Sequence, residues 1–148
     1  MRTIILVIML IASFSVFASD IVDIDFFDAR GNRYRTTSLL TDLKNNYSQE
    51  FLSVKVLLIE TPSLDSGEFL KQDRALKLMG HEEFPILFVV ASIKQEYKHG
   101  YHTSRQVAKE LAGESARFRI RLLTSTGLVL EESTEPLAVQ QLKRWFRK

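Results

Sequence analysis

The 148-residue chain contains no cysteine. This excludes disulfide exchange, thiol peroxidase chemistry, iron–sulfur ligation and cysteine zinc sites, and leaves burial rather than cross-linking to stabilise the fold. An excess of charge of one sign is also absent. Twenty basic residues face 18 acidic ones, for a net charge of +2, which argues against a dedicated nucleic-acid binder. No membrane-length apolar run occurs: the longest, Ile4 to Phe17, is short of the ~20 residues a span requires. The sequence has no Gly-rich phosphate loop, no GxSxG and no HExxH.

What is present begins with the N-terminus. A short basic start, the apolar run and "VFAS" have the form of a secretory signal peptide, residues 1–18, cut after Ala18. A bacterial lipid anchor on the new N-terminus would need a cysteine and is excluded. The expectation is an exported bacterial protein, periplasmic or secreted, folded as one domain over residues 19–148 with no membrane span after cleavage.

The remaining sequence alternates between two periodicities. Val22, Ile24 and Phe26 alternate with aspartates, and "DARGN" then turns the chain into "RYRT", which predicts a hairpin. Ser38–Lys44 forms a short helical turn, and a polar connection follows from Asn45. Val54–Ile59 and Pro85–Ala91 are continuous apolar runs, as in strands buried on both faces. Between them Asp65 and Glu68 have capping-box spacing, with Phe69, Leu76 and Met79 on one helical stripe ending near Gly80. Thr103 and Gln106 repeat that spacing before a helix through Val107, Ala108, Leu111 and Ala112, closed by Gly113. Phe118, Ile120 and Leu122 alternate with Arg117, Arg119 and Arg121. A loop of Ser125, Thr126 and Gly127 predicts a bulged hairpin pairing Leu122 with Leu130 and Arg121 with Glu131. Pro136 opens a last helix with Ala138, Val139, Leu142, Trp145 and Phe146 as its buried stripe.

The order is hairpin, strand, helix, strand, helix, hairpin, helix. The stretches Asp23–Asn45 and Val54–Ser63 resemble the start of exported peroxiredoxin-like and thioredoxin-like domains. Phe118–Phe146, "FRIRLLTSTGLVLEESTEPLAVQQLKRWF", resembles the C-terminal half of a bacterial exported family, domain of unknown function 4174. The resemblance implies an α/β thioredoxin-like fold. It would have a mixed sheet with an N-terminal β-hairpin, a central parallel βαβ unit, a C-terminal β-hairpin and a terminal helix, and no assigned activity. Thioredoxins carry their reactive cysteines just after the central strand, where this chain has Thr61 to Ser66. They also place a proline before the first hairpin strand, where Gly113–Phe118 has none.

Three groups of residues are candidates for a site. Thr61 and Ser63 occupy the position of the lost thiols and are candidate binding residues. Glu96, His99 and His102 have the composition of a divalent-metal site, set against ordinary histidines in a solvated loop. Arg117, Arg119 and Arg121 form a basic row suited to an anion or an acidic partner, set against a sheet face neutralised by Glu131 and Glu132. "LDSGE" contains the Asp-Ser-Gly of aspartic proteases, but helix capping accounts for both Asp65 and Glu68. The sequence therefore predicts a non-catalytic protein that needs no cofactor and binds a protein partner or an envelope component. The alternative is a metal- or ligand-binding protein or enzyme using Glu96–His102.

Overall fold

The computed structural model describes residues 20–51, 53–79 and 85–148; the segment expected to be a signal peptide, Gly80 and His81 lie outside them. β3 (Lys55–Thr61) and β4 (Ile86–Ser92) are parallel neighbours in register Lys55 to Ile86, linked through α2 (Gly67–Met79). Between Val56 and Ile59 and between Ile86 and Ala91 their side chains are all apolar, so both faces of the pair can be covered. β6 (Arg119–Leu123) lies antiparallel on the other side of β3 and continues into β7 (Val129–Ser133). β1 (Asp25–Phe27) and β2 (Arg33–Arg35) form the N-terminal hairpin. A two-residue strand, β5 (Tyr101–His102), joins that hairpin to β4 and completes, among the described residues, a seven-stranded sheet of order β2-β1-β5-β4-β3-β6-β7.

The period-two alternation sends residues to two cores. Val56 and Leu58 join Val89, Ala91 and Leu123 under α1 (Leu39–Tyr47) and α3 (Arg105–Ala112). Leu57 and Ile59 join Val90, Ile120 and Leu122 under α2 and α4 (Val139–Phe146), which contribute Phe69, Leu142 and Phe146. Each fully buried aliphatic side chain stabilises by about 1.5–3 kcal/mol relative to exposure. One polar side chain crosses the second core. The Gln72 amide donates to Leu137 O at 3.1 Å and accepts from Leu137 N at 2.7 Å, fixing the entry to α4 against α2.

Local details differ from the sequence reading, each for a physical reason. The first helix runs to Tyr47 and ends on Ser48 at φ +54°, shortening the polar connection. The α2 cap is Ser66, whose Oγ accepts from Phe69 N at 3.3 Å; Asp65 stands one residue outside the helix. Ser104, not Thr103, caps α3 through Val107 N at 3.1 Å, and Gln106 reaches along the helix to Glu110. In the C-terminal hairpin a bulge at Leu122/Leu123 shifts the pairing by one, so Leu122 faces Glu131 and Arg121 faces Glu132. The last helix begins at Val139 rather than at Pro136, with Leu137 buried and Ala138 exposed.

Gly127 does adopt the left-handed conformation, at φ +89°. A Cβ there would lie 2.4 Å from Val22 O, because the N-terminal segment passes directly over the turn. Val22 N donates to Gly127 O at 2.8 Å and Val129 N to Asp20 O at 3.0 Å.

Candidate functional site

β3 delivers two consecutive residues to opposite sides of the sheet, and each anchors a different polar cluster. Thr61, 2% exposed, begins the β3–α2 loop. Its Oγ1 donates to Ser63 O at 2.8 Å and lies 2.9 Å from Ser66 Oγ. Ser63 Oγ accepts from Asp65 N at 3.2 Å. Gln95 Oε1 closes the loop from the β4 side, accepting from Leu64 N at 3.1 Å and lying 3.4 Å from both Ser63 Oγ and Ser92 Oγ. The three loop hydroxyls are thus engaged with backbone, with one another or with an amide. Among the described residues their hydrogen-bond partners are backbone groups, one another and the Gln95 amide, rather than a histidine of the kind that activates a hydroxyl nucleophile.

Glu60 leaves the strand on the other face and is 5% exposed. Arg119 grips it with two bonds, Nε to Oε2 and Nη2 to Oε1, both 2.8 Å, and Arg121 Nη2 adds a third at 2.9 Å. Arg119 also donates to Leu111 O near the end of α3 at 3.1 Å, where an unpaired helix carbonyl favours a cation. The bond to Glu60 holds the Arg119 guanidinium more firmly protonated than usual. Arg121 is buried, and among the described residues its Nε has no hydrogen-bond partner. The expected exposed basic row is therefore corrected. Of the three, only Arg117 is exposed, and Arg119 and Arg121 are turned inward by Glu60, one residue beyond the apolar run Val54–Ile59.

Glu96 and His99 are exposed on the β4–β5 loop, the His99 ring lying edge-on to Tyr97 with centroids 5.8 Å apart. His102 sits on β5 with Nδ1 2.9 Å from Gly100 O. Among the described residues no group of three or more His, Asp or Glu side chains is arranged to hold a metal ion.

Two clefts flank β5, and both are bordered by Gly100 and Tyr101. On the α2 face a cleft of about 340 Å³ is lined by Phe69, Leu76, Ile86, Phe88 and Tyr97, with Asp73 and Lys77 at its rim; these two are paired at 2.8 Å. On the α1 face a second cleft of about 350 Å³ is lined by Asp28, Arg30, Asn32, Asn46 and Tyr47. Here Tyr47 and Tyr101 hydroxyls meet at 3.1 Å. Asp28 accepts from the amides of Arg30 and Asn32, from the Asn32 side chain and from the Tyr34 hydroxyl, all within 2.9 Å. Burial alone would raise the Asp28 pKa, but these bonds together bring it below the ordinary value. Burial pushes the Tyr34 and Tyr101 hydroxyls far above theirs, so both stay protonated, and Tyr34 donates to Asp28. The sequence reading missed this site, because β5 is only two residues long and its clefts are assembled from segments far apart in the chain.

No family model and no curated protein matches the chain. Solved structures match over nearly its whole length at low identity. Peroxidoxin BcpB from Mycobacterium tuberculosis is 12% identical with a TM-score of 0.55, covering 87% of this chain and 92% of its own. The thioredoxin domain of a thiol-disulfide oxidoreductase from Bacteroides vulgatus is 13% identical with a TM-score of 0.54, covering 88% and 97%. Arabidopsis thaliana ScoI, solved with copper bound, is 11% identical with a TM-score of 0.52, covering 86% and 95%. These likenesses, with the parallel β3–α2–β4 unit and the two hairpins, show a thioredoxin-like fold in a chain that has no cysteine.

Proposed function

We propose that the protein is an exported binding module that retains a thioredoxin-like scaffold without thiol chemistry and engages a protein partner or another component of the cell envelope. The observation that carries this reading is the closed β3–α2 loop. The position used for redox chemistry in thioredoxins holds Thr61, Ser63 and Ser66 hydrogen-bonded within the loop and to Gln95. With no thiolate to attack a disulfide or a peroxide, neither reaction has a nucleophile. The apolar leader supports export, and the pattern of Phe118–Phe146 supports kinship with domain of unknown function 4174. No helix among the described residues is long and apolar enough to cross a membrane.

Insulin reduction and peroxide consumption should both proceed at the buffer rate in the presence of the protein. Protein-dependent turnover in either assay would overturn the non-redox reading. Crosslinking in intact envelope followed by purification should recover a discrete partner, and recovery of the protein alone would remove the binding role.

A further inference from the structure

The two clefts beside β5 meet at an unfinished part of the sheet. Lys55 N donates to Pro85 O at 3.0 Å, and Thr103 N donates to Val90 O at 3.1 Å. Strand parity therefore turns the odd residues of this segment toward β3 and turns Ile86, Phe88 and Val90 toward the lane of β5. Along β4, β5 pairs only beside Val89 and Val90, its other edge pairing with Phe27 of β1. The Val89–Tyr101 pairing uses the Phe88 carbonyl and the Val90 amide, and before Tyr101 the chain leaves the lane, so among the described residues no strand pairs with the Ile86 N–H and C=O or the Phe88 N–H on this side of β4. Tyr101 marks the end of β5, and the clefts open on the two faces of the sheet at that point.

An open ladder presents main-chain donors and acceptors that an added strand satisfies. A strand's side chains alternate between faces, and here each face offers a cleft. We propose that an extended peptide segment of a partner protein occupies this lane, pairing with β4 at Ile86–Phe88. It would direct apolar side chains over Phe69, Leu76 and Phe88, and intervening polar side chains toward Arg30, Asn46 and Tyr47. The chemistry favours a peptide over a compact small molecule, because the two clefts differ in polarity and are separated by one strand thickness. The inference rests on the binding reading above and names its site.

The probe is a blocked heptapeptide of alternating leucine and serine with lysine at each end, titrated into the 15N-labelled protein. Saturable shifts are expected at the amides of Ile86, Phe88, Gly100 and Tyr101, with slowed hydrogen exchange at Ile86 and Phe88. The same peptide N-methylated at alternate residues, which cannot complete the ladder, should bind at least tenfold more weakly. Leu76→Asp should weaken the unmodified peptide at least tenfold while keeping a dispersed spectrum. The proposal is overturned by shifts that map elsewhere or do not saturate, or by equal binding of the N-methylated peptide. It is overturned equally by shifts at these amides that grow with protein concentration alone, which would assign the lane to a second copy. If envelope crosslinking gives the same partner with wild type and Leu76→Asp, the lane is wrong and the binding role stands. If wild type gives none, the role itself falls.

Discussion

Glu60 and Thr61 are neighbours in the chain, yet the clusters they anchor on opposite faces of β3 are built on different principles. Around Thr61 everything is neutral and mostly local: the donors and acceptors lie within a few residues, with Gln95 reaching across from the loop after β4. Around Glu60 the groups are charged and distant, its two arginines following about sixty positions later. A local neutral network loses little when one member is removed, since water or a neighbour can replace the bond. A buried carboxylate shared by two guanidiniums has no such substitute. The position that thioredoxins reserve for chemistry is thus among the more replaceable parts of this molecule, and the less replaceable part is a structural ion cluster one residue away.

The largest expected effect breaks the charged side of this contrast. Glu60→Ala leaves Arg119 and Arg121 without their carboxylate and should cost about 3–5 kcal/mol in urea unfolding. A loss below about 1 kcal/mol would mean that the arginines escape to solvent and that the cluster is no more committed than the loop. Next comes a neutral group that is nonetheless distant: Gln72→Ala strands the N–H and C=O of Leu137, at about 1–3 kcal/mol for each unsatisfied group. A cost near zero would remove the amide link between α2 and α4.

Within the loop, Ser66→Ala should cost about 1 kcal/mol through loss of the α2 cap, whereas Asp65→Ala should stay within about 0.5 kcal/mol, as for an ordinary surface site. Thermal melts showing the reverse order would move the cap to Asp65. The smallest effect is read through pH at Asp28, a charged group held by local bonds. Its folded pKa lies below the ordinary 3.8. Its contribution to stability is therefore complete above about that pH and is lost as the pH falls through the lower folded value. Asp28→Asn should remove this part of the acid limb, and an unchanged acid limb would show that the carboxylate is not held by its four donors.

How much of this was legible follows from the same distinction between local and distant. The apolar runs Val54–Ile59 and Pro85–Ala91 announced parallel strands because burial on both faces leaves an unbroken signature. Gly127 announced its turn because few other residues adopt a positive φ there without strain. The Ser66 cap was one residue from the expected Asp65, since "LDSGE" contains two competent caps and only the helix start chooses between them. The hairpin register slipped by one at a bulge that no residue type marks. Glu60 follows the apolar run at a point where a charge normally ends a strand; its two arginine partners are invisible until the strands are laid side by side. β5 and its clefts were hidden for a similar reason, as two residues carry no periodicity.

The passage of Asp20–Val22 across the Gly127 turn has a kinetic consequence. The first described residues of the chain are tied to residues more than a hundred positions later, and the central strand takes β6 as a partner some sixty positions away. Closing such long loops costs entropy before any contact rewards it, and chains with this topology fold slowly for their size. The sheet cannot be finished until β7, which ends at Ser133, has been synthesised, so the bonds that tie Asp20–Val22 to the Gly127 turn close only after most of the chain has been made.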